Sequence, residues 1–133
     1  MKTTSISAGL ALAALALAGP LSPVLAATSD YEFRLTQPEV RKGAAAVIVA
    51  TLVDKRTGKA VPDAVIFAKR LDMQPSGMET MTTPVEALPP TEPGVYRFRA
   101  DLPMEGGWRL SLGAKVQGEV GTVEGKLVLE ARP

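Results

Sequence analysis

Hydrophobic and polar residues alternate along three segments of the chain. The first is Tyr31–Leu35, and two longer runs follow at Val95–Leu102 and Trp108–Val116. Successive side chains of a β-strand point to opposite faces, so a period of two indicates a strand with one buried and one solvent-exposed face. Each run therefore predicts a half-buried β-strand.

Four further segments are predicted as strands on other grounds. Ala44–Val53 is apolar throughout, and its many β-branched residues favour a buried strand over a helix. Ala64–Leu71 and Gly125–Ala131 are bounded by turn residues, and Pro84–Leu88 is a short candidate. About seven short strands separated by Pro- and Gly-containing turns predict an all-β fold, an immunoglobulin-like antiparallel β-sandwich.

The N-terminal segment has the pattern of a secretory signal peptide. The apolar stretch Ile6–Leu17 is short, and small side chains at Val24 and Ala26 mark a cleavage site. We expect a signal peptide over residues 1–26 and one domain over residues 27–133. The alternative is an uncleaved membrane anchor. Cleavage would release the domain into an extracytoplasmic compartment, which we expect to be a bacterial periplasm.

Composition excludes several classes of chemistry. The 133 residues include no His and no Cys, so His- or Cys-dependent catalysis, His or Cys zinc sites and disulfides are excluded. No G-x-S-x-G or S-x-x-K spacing is present, and we expect the protein not to be an enzyme. A formal net charge of +1 gives no electrostatic argument for nucleic acid as a partner.

The four methionines that follow the N-terminal segment fall within 32 residues and within two predicted loops. They are Met73, Met78, Met81 and Met104. In a seven-stranded sandwich these two loops emerge at the same end. Thioethers are soft ligands that select Cu(I), and also Ag(I), over hard cations. The pattern predicts a Cu(I) site at this end beside Trp108, with no other cofactor expected.

A purely structural interpretation of the methionines remains open. Methionine fills irregular gaps and packs on aromatic rings, so the methionine-rich loop could simply cover the end of the core on Trp108. Trp108 begins an alternating run, which predicts a place at the edge of the core. Asp72, Glu79 and Glu105 are predicted to be solvated loop charges.

An ordered set of motifs resembles a known family. Gly58–Val65 reads Gly-Lys-x-Val-Pro-x-Ala-Val, and the methionine-rich segment Met73–Met81 follows it. Gly94–Tyr96 supplies Gly-x-Tyr, and Met104–Leu110 supplies Met-x-Gly-x-Trp-x-Leu. In this order the motifs resemble the YtkA-like family of small exported bacterial domains, which is related to FixH.

The resemblance implies an immunoglobulin-like sandwich in the periplasm and a role in metal handling. Implied partners are a copper exporter, an efflux adaptor or an oxidase assembly factor, since FixH-like members are tied to copper delivery. The absence of His excludes a mixed His/Met site and disfavours Cu(II). No segment after residue 26 is predicted to span a membrane. The alternative function is a metal-free interaction module that docks onto an exported or membrane partner through a sheet edge or the methionine-rich end.

Overall fold

The structure is a computed structural model that describes residues 28–133, so the predicted signal peptide and its cleavage site lie outside the described residues. Within this range no helix is long and apolar enough to cross a membrane. Single 3-10 turns occur at Thr28–Asp30 and Gln74–Ser76. The strands are β1 (Tyr31–Leu35), β2 (Glu39–Arg41), β3 (Gly43–Asp54), β4 (Lys59–Ala60), β5 (Val65–Met73), β6 (Met78–Thr83), β7 (Val85–Leu88), β8 (Val95–Leu102), β9 (Gly106–Lys115) and β10 (Thr122–Arg132).

The strands form two sheets. One has the order β1-β3-β8-β7, with β4 paired to the end of β3, and the other has the order β2-β10-β9-β5-β6. Neighbouring strands are antiparallel except β2 and β10, which are parallel. The order β1-β3-β8-β7 opposite β10-β9-β5 is that of an immunoglobulin-like sandwich. The predicted all-β fold class is confirmed.

All seven predicted strands are present, and three more accompany them. The additional strands are the short β2 and β4 and the longer β6. β2 arises because the chain leaves the first sheet after β1 and pairs with the end of β10 in the second, where Glu130 N–H donates to the carbonyl of Pro38 at 2.8 Å. The count of about seven was therefore too low.

The core lies between the two sheets and is formed by the predicted inward faces. In β8 and β9 the alternating apolar residues are buried, with Phe98, Trp108 and Leu110 almost completely enclosed. β3 contributes Ile48 and Leu52 to the same cluster. Because each strand buries one face, β5, β8 and β9 are held in fixed register, and this fixes the positions of the segments that connect them.

Candidate functional site

The segment predicted as a methionine-rich loop is instead a tight hairpin, and that prediction is wrong. Met73 is the last residue of β5, and Met78 and Met81 lie on β6. The single turn Gln74–Ser76 ends at Gly77, which has a φ of 78° and reverses the chain. A left-handed glycine closes the connection in one turn, so Met73 and Met78 become register partners on adjacent strands.

The four methionines differ in exposure. Met73 is completely buried in the core cluster. Met78, Met81 and Met104 are exposed to 36%, 37% and 38%. Met104 lies in the connection between β8 and β9, as predicted. Met73 thus fills the packing role that methionine commonly has, while more than a third of the surface of each of the other three is exposed to solvent.

The hairpin and the β8–β9 connection are in contact. Ser76 Oγ accepts a hydrogen bond from Gly107 N–H at 2.9 Å. Pro75 lies so close to Gly107 that a Cβ there would be 2.8 Å from the Cβ of Pro75. Since Met104 precedes Gly107 by three residues, both methionine-bearing segments lie at one end of the sandwich. This methionine-rich end comprises Met73, Met78, Met81, Met104 and Trp108.

Trp108 links this end to the core. Its ring is completely buried, and its indole N–H donates to the carbonyl of Met104 at 3.0 Å. A buried indole N–H needs a partner, and here that partner belongs to the connection that carries the exposed Met104. The core therefore fixes the backbone of Met104.

Asp72 is not a solvated loop charge, and that prediction is also wrong. Asp72 has no exposed surface, and among the described residues no other charged side chain is buried. One carboxylate oxygen accepts from Arg70 Nε at 2.9 Å and from an Arg109 guanidinium N–H at 3.0 Å. The other accepts from Gln74 N–H at 2.9 Å. Burial raises the pKa of Asp72. The hydrogen bond from Gln74 and the two guanidinium groups together lower it by more, so the pKa of Asp72 lies below its ordinary value.

The same charged cluster holds β6 in place. Arg70 donates to the backbone carbonyl of Glu79 at 3.1 Å, and the Glu79 carboxylate lies 3.6 Å from Arg109. Glu79 itself is exposed, as predicted, and so is Glu105. β6 thus receives support from side chains of β5 and β9 beside its backbone pairing, and this support fixes the segment between Met78 and Met81.

Sequence reasoning identified the methionines and Trp108 but missed Asp72, Arg70 and Arg109 as a cluster. Asp72 and Arg109 are register partners on β5 and β9. Opposite charges on facing residues are a recognisable signal, but only once the register of the two strands is known.

Oxygen and nitrogen ligands do not converge at this end. Within residues 28–133, no group of three or more His, Cys, Asp or Glu could hold a metal ion. Asp72 is occupied by two arginines and a backbone amide. The side chains exposed at the methionine-rich end are Met78, Met81 and Met104, together with the carboxylates of Glu79 and Glu105.

The motifs Gly58–Val65 and Gly94–Tyr96 lie at the opposite end and have a structural role. The Tyr96 hydroxyl donates to the carbonyl of Val61 at 2.7 Å and accepts from Ala64 N–H at 3.0 Å. This clamp holds the turn that leads into β5, and an open apolar concavity lined by prolines lies beside it. These motifs thus hold in place the turn that precedes β5.

Comparison with known proteins gives a family and a structural likeness. A family model described as YtkA-like matches residues 25–113. The solved structure of a "ZirS C-terminal Domain" is similar with a TM-score of 0.45 at 14% sequence identity, covering 98% of this chain and 88% of that chain. No curated protein matches the sequence. The relationship to FixH stays a prediction.

Proposed function

Because this chain belongs to the YtkA-like family, we propose that it is a periplasmic metal-handling protein that binds Cu(I) through exposed methionine sulfurs. The observation that carries the proposal is the exposure of Met78, Met81 and Met104 at one end of a sandwich that has neither His nor Cys.

The exposure of these side chains distinguishes them from packing residues. Methionine is among the residue types most often fully buried, and Met73 follows that rule. Met78, Met81 and Met104 each leave more than a third of their surface in solvent. The two interpretations of the methionines therefore apply to different residues: Met73 packs the core, and the other three are the ligands.

Thioether chemistry decides which metal fits. Soft sulfur donors prefer Cu(I), and by the same argument Ag(I), whereas Cu(II) and Zn(II) prefer imidazole, thiolate or carboxylate ligands. A thioether does not protonate in the accessible pH range, so Cu(I) binding should persist in mildly acidic solution. Nearby Asp72 does not offer an oxygen ligand because it is buried and already accepts three hydrogen bonds.

The ligand backbones are held before the metal arrives. The Trp108 hydrogen bond fixes the Met104 carbonyl, and Arg70 fixes the backbone at Glu79 between the other two ligands. Backbone segments that are already held in place lower the ordering cost of binding. Neutral, solvent-exposed ligands also suit a protein that passes Cu(I) on to a copper exporter, an efflux adaptor or an oxidase assembly factor.

The proposal describes a binding protein rather than an enzyme. The sequence has no His or Cys to act as a nucleophile or a base near neutral pH. The buried carboxylate Asp72 is held ionised by two arginines, which suits a structural ion cluster rather than proton transfer.

An anaerobic competition titration with a chromogenic Cu(I) chelator tests the proposal. The wild-type chain should retain Cu(I), and the double variant Met78→Ala with Met81→Ala should bind it more weakly by over about tenfold, because two of three soft ligands are lost. Val65→Ala removes an exposed apolar side chain from the other end of β5 and is the control.

Two results would defeat the metal assignment: a wild-type chain that does not compete for Cu(I), or a double variant that competes as well as the wild type. The metal-free interaction module would then take its place. Complete oxidation of the exposed methionines to sulfoxides should have the same effect as the double substitution, because sulfoxide formation removes the soft donor.

A further inference from the structure

β5 is paired unequally on its two sides. On one side β9 pairs with it from Val65 to Asp72. On the other side β6 pairs only with the last three residues, Leu71 to Met73. Within the described chain the segment Val65–Arg70 therefore has one open edge, about 20 Å long at the rise of a strand.

Large apolar side chains stand on this edge. Val65 is 61% exposed and Phe67 is 56% exposed. The pairing of β5 with β9 shifts register between Ile66 and Ala68, so Phe67 is an extra residue in a bulge. Its ring lies over Gly113 of β9, where an added Cβ would be 3.1 Å from the ring. The Phe67 ring thus packs on β9 with one side and is open to solvent on the other.

The surroundings of the open edge are positively charged. Lys69 and Arg70 lie on the edge itself, whereas Lys126 and Glu124 lie on β10, which β9 separates from β5. Arg70 is bonded to the buried Asp72 and keeps 54% of its side chain exposed. Among the described residues Lys69 takes part in no salt bridge, and Val65–Arg70 contains no acidic residue, so the edge itself carries two cations and no carboxylate.

We propose that the open edge Val65–Arg70 binds an extended segment of a partner protein, rich in acidic and apolar residues, as an added β-strand. Backbone hydrogen bonds to a free edge supply affinity, and alternate side chains supply specificity. An acidic side chain would lie beside Lys69 on one face of the added strand, and an apolar side chain would pack beside Phe67 on the other face.

A second copy of this chain fits the edge poorly. Pairing two copies would bring Lys69 and Arg70 close to their own counterparts, and facing like charges destabilise a strand pair. Lysine and a bulge on an edge are also common protections against self-association. Lys69 and the bulge do not oppose an acidic partner, so the charge pattern favours a strand from a different protein.

Backbone amide NMR of the isotopically labelled chain tests this inference with a defined probe. The probe is a capped eight-residue peptide of alternating Val and Glu. It should shift the amide resonances of Val65–Arg70. Two matched peptides, one with Lys in place of Glu and one N-methylated at alternate backbone amides, should bind more weakly by over about fivefold, since the first loses charge complementarity and the second loses edge hydrogen bonds.

Variants locate the binding surface. Phe67→Ala and Lys69→Glu should each weaken binding of the Val/Glu peptide by about fivefold or more, because they remove the apolar contact and reverse the charge. Val128→Ala is the control, since Val128 is as exposed as Phe67 but lies on β10. The double variant Met78→Ala with Met81→Ala should bind the peptide like the wild type, so this inference and the Cu(I) proposal fail separately.

Three outcomes would overturn the inference. One is the absence of shifts at Val65–Arg70 with millimolar peptide, and another is equal binding of the Lys peptide. The third is binding to phosphatidylglycerol vesicles that is lost in Phe67→Ala while the peptide does not bind, which would assign the surface to an anionic membrane.

Discussion

Trp108 is the residue that connects the core to the methionine-rich end. Its ring is fully buried and its N–H holds the carbonyl of Met104. Trp108→Ala should therefore lower the free energy of unfolding by about 3–5 kcal/mol, because a large ring is removed from a packed core. Urea denaturation followed by circular dichroism measures this without relying on the fluorescence of the lost tryptophan. A loss below about 1 kcal/mol would contradict the packing described here.

Asp72 should make the free energy of unfolding depend on pH. Its pKa is lower in the folded chain than in the unfolded chain, so its contribution is fully present above the unfolded value and is lost as the pH falls through the folded value. The free energy of unfolding of the wild type should decline below about pH 5.

Asp72→Asn should be less stable than the wild type at pH 7, since Arg109 then lacks its buried counter-charge. The difference should shrink as Asp72 of the wild type becomes protonated. Glu105→Gln, at an exposed position, is the control and should follow the wild-type curve. Chemical denaturation between pH 2 and pH 7 measures all three proteins, and an undiminished difference at low pH would contradict the role given to Asp72.

At the scale of elements, the sequence predicted strands that bury one face and missed those that do not. β8 and β9 alternate because their inward residues enter the core. β6 is exposed along both faces, so no hydrophobic period marks it. The preceding residues Pro75–Gly77 correctly indicated a turn, but they did not show that the turn is short enough to join two paired strands. The buried Asp72 was missed for a related reason, since its partner Arg109 comes from a strand 37 residues away.

β3 contains a local strain that can be measured. Ala45 has a φ of 56° in the irregularity between Gly43 and Ala46, and its N–H donates to Asp101 at 2.8 Å. A left-handed conformation costs a residue with a Cβ about 1 kcal/mol or more. Ala45→Gly should therefore raise the free energy of unfolding by roughly 0.5–1 kcal/mol.

Ala44→Gly is the matched control for that substitution, because Ala44 is an exposed neighbour on the same strand without a positive φ. There the glycine should lower stability by about 0.5–1 kcal/mol through added freedom of the unfolded chain. Thermal or urea denaturation compares the two. Equal effects at both positions would show that Ala45 is not strained.

Tyr96 supports the turn before β5 from the end opposite the methionines. Tyr96→Phe removes both hydrogen bonds of the hydroxyl and should lower the free energy of unfolding by about 1–3 kcal/mol, because Ala64 N–H loses its partner. Cu(I) affinity should not change, since no proposed ligand lies there. Denaturation and the chelator titration on the same variant measure both quantities, and a variant of unchanged stability would contradict the clamp.

At the scale of the whole molecule, the proposed metal site and the Tyr96 clamp occupy different ends of one sandwich. The Tyr96 clamp closes one end, and the exposed thioethers occupy the other. The predicted topology correctly placed the β8–β9 connection and the methionine-rich segment together, because strand order fixes which connections share an end. It could not predict which methionine is buried, since burial of Met73 depends on the tight hairpin that ends β5.

The X-ray absorption spectrum of the Cu(I)-loaded chain at the copper edge reports the atoms that bind the metal. We expect a first coordination shell of sulfur alone, contributed by Met78, Met81 and Met104. In the variant with all three replaced by Ala, the copper should be lost on desalting while the circular dichroism spectrum stays that of a β-sandwich. A shell of nitrogen or oxygen atoms, or an unchanged sulfur shell in the triple variant, would contradict Cu(I) binding by these three methionines.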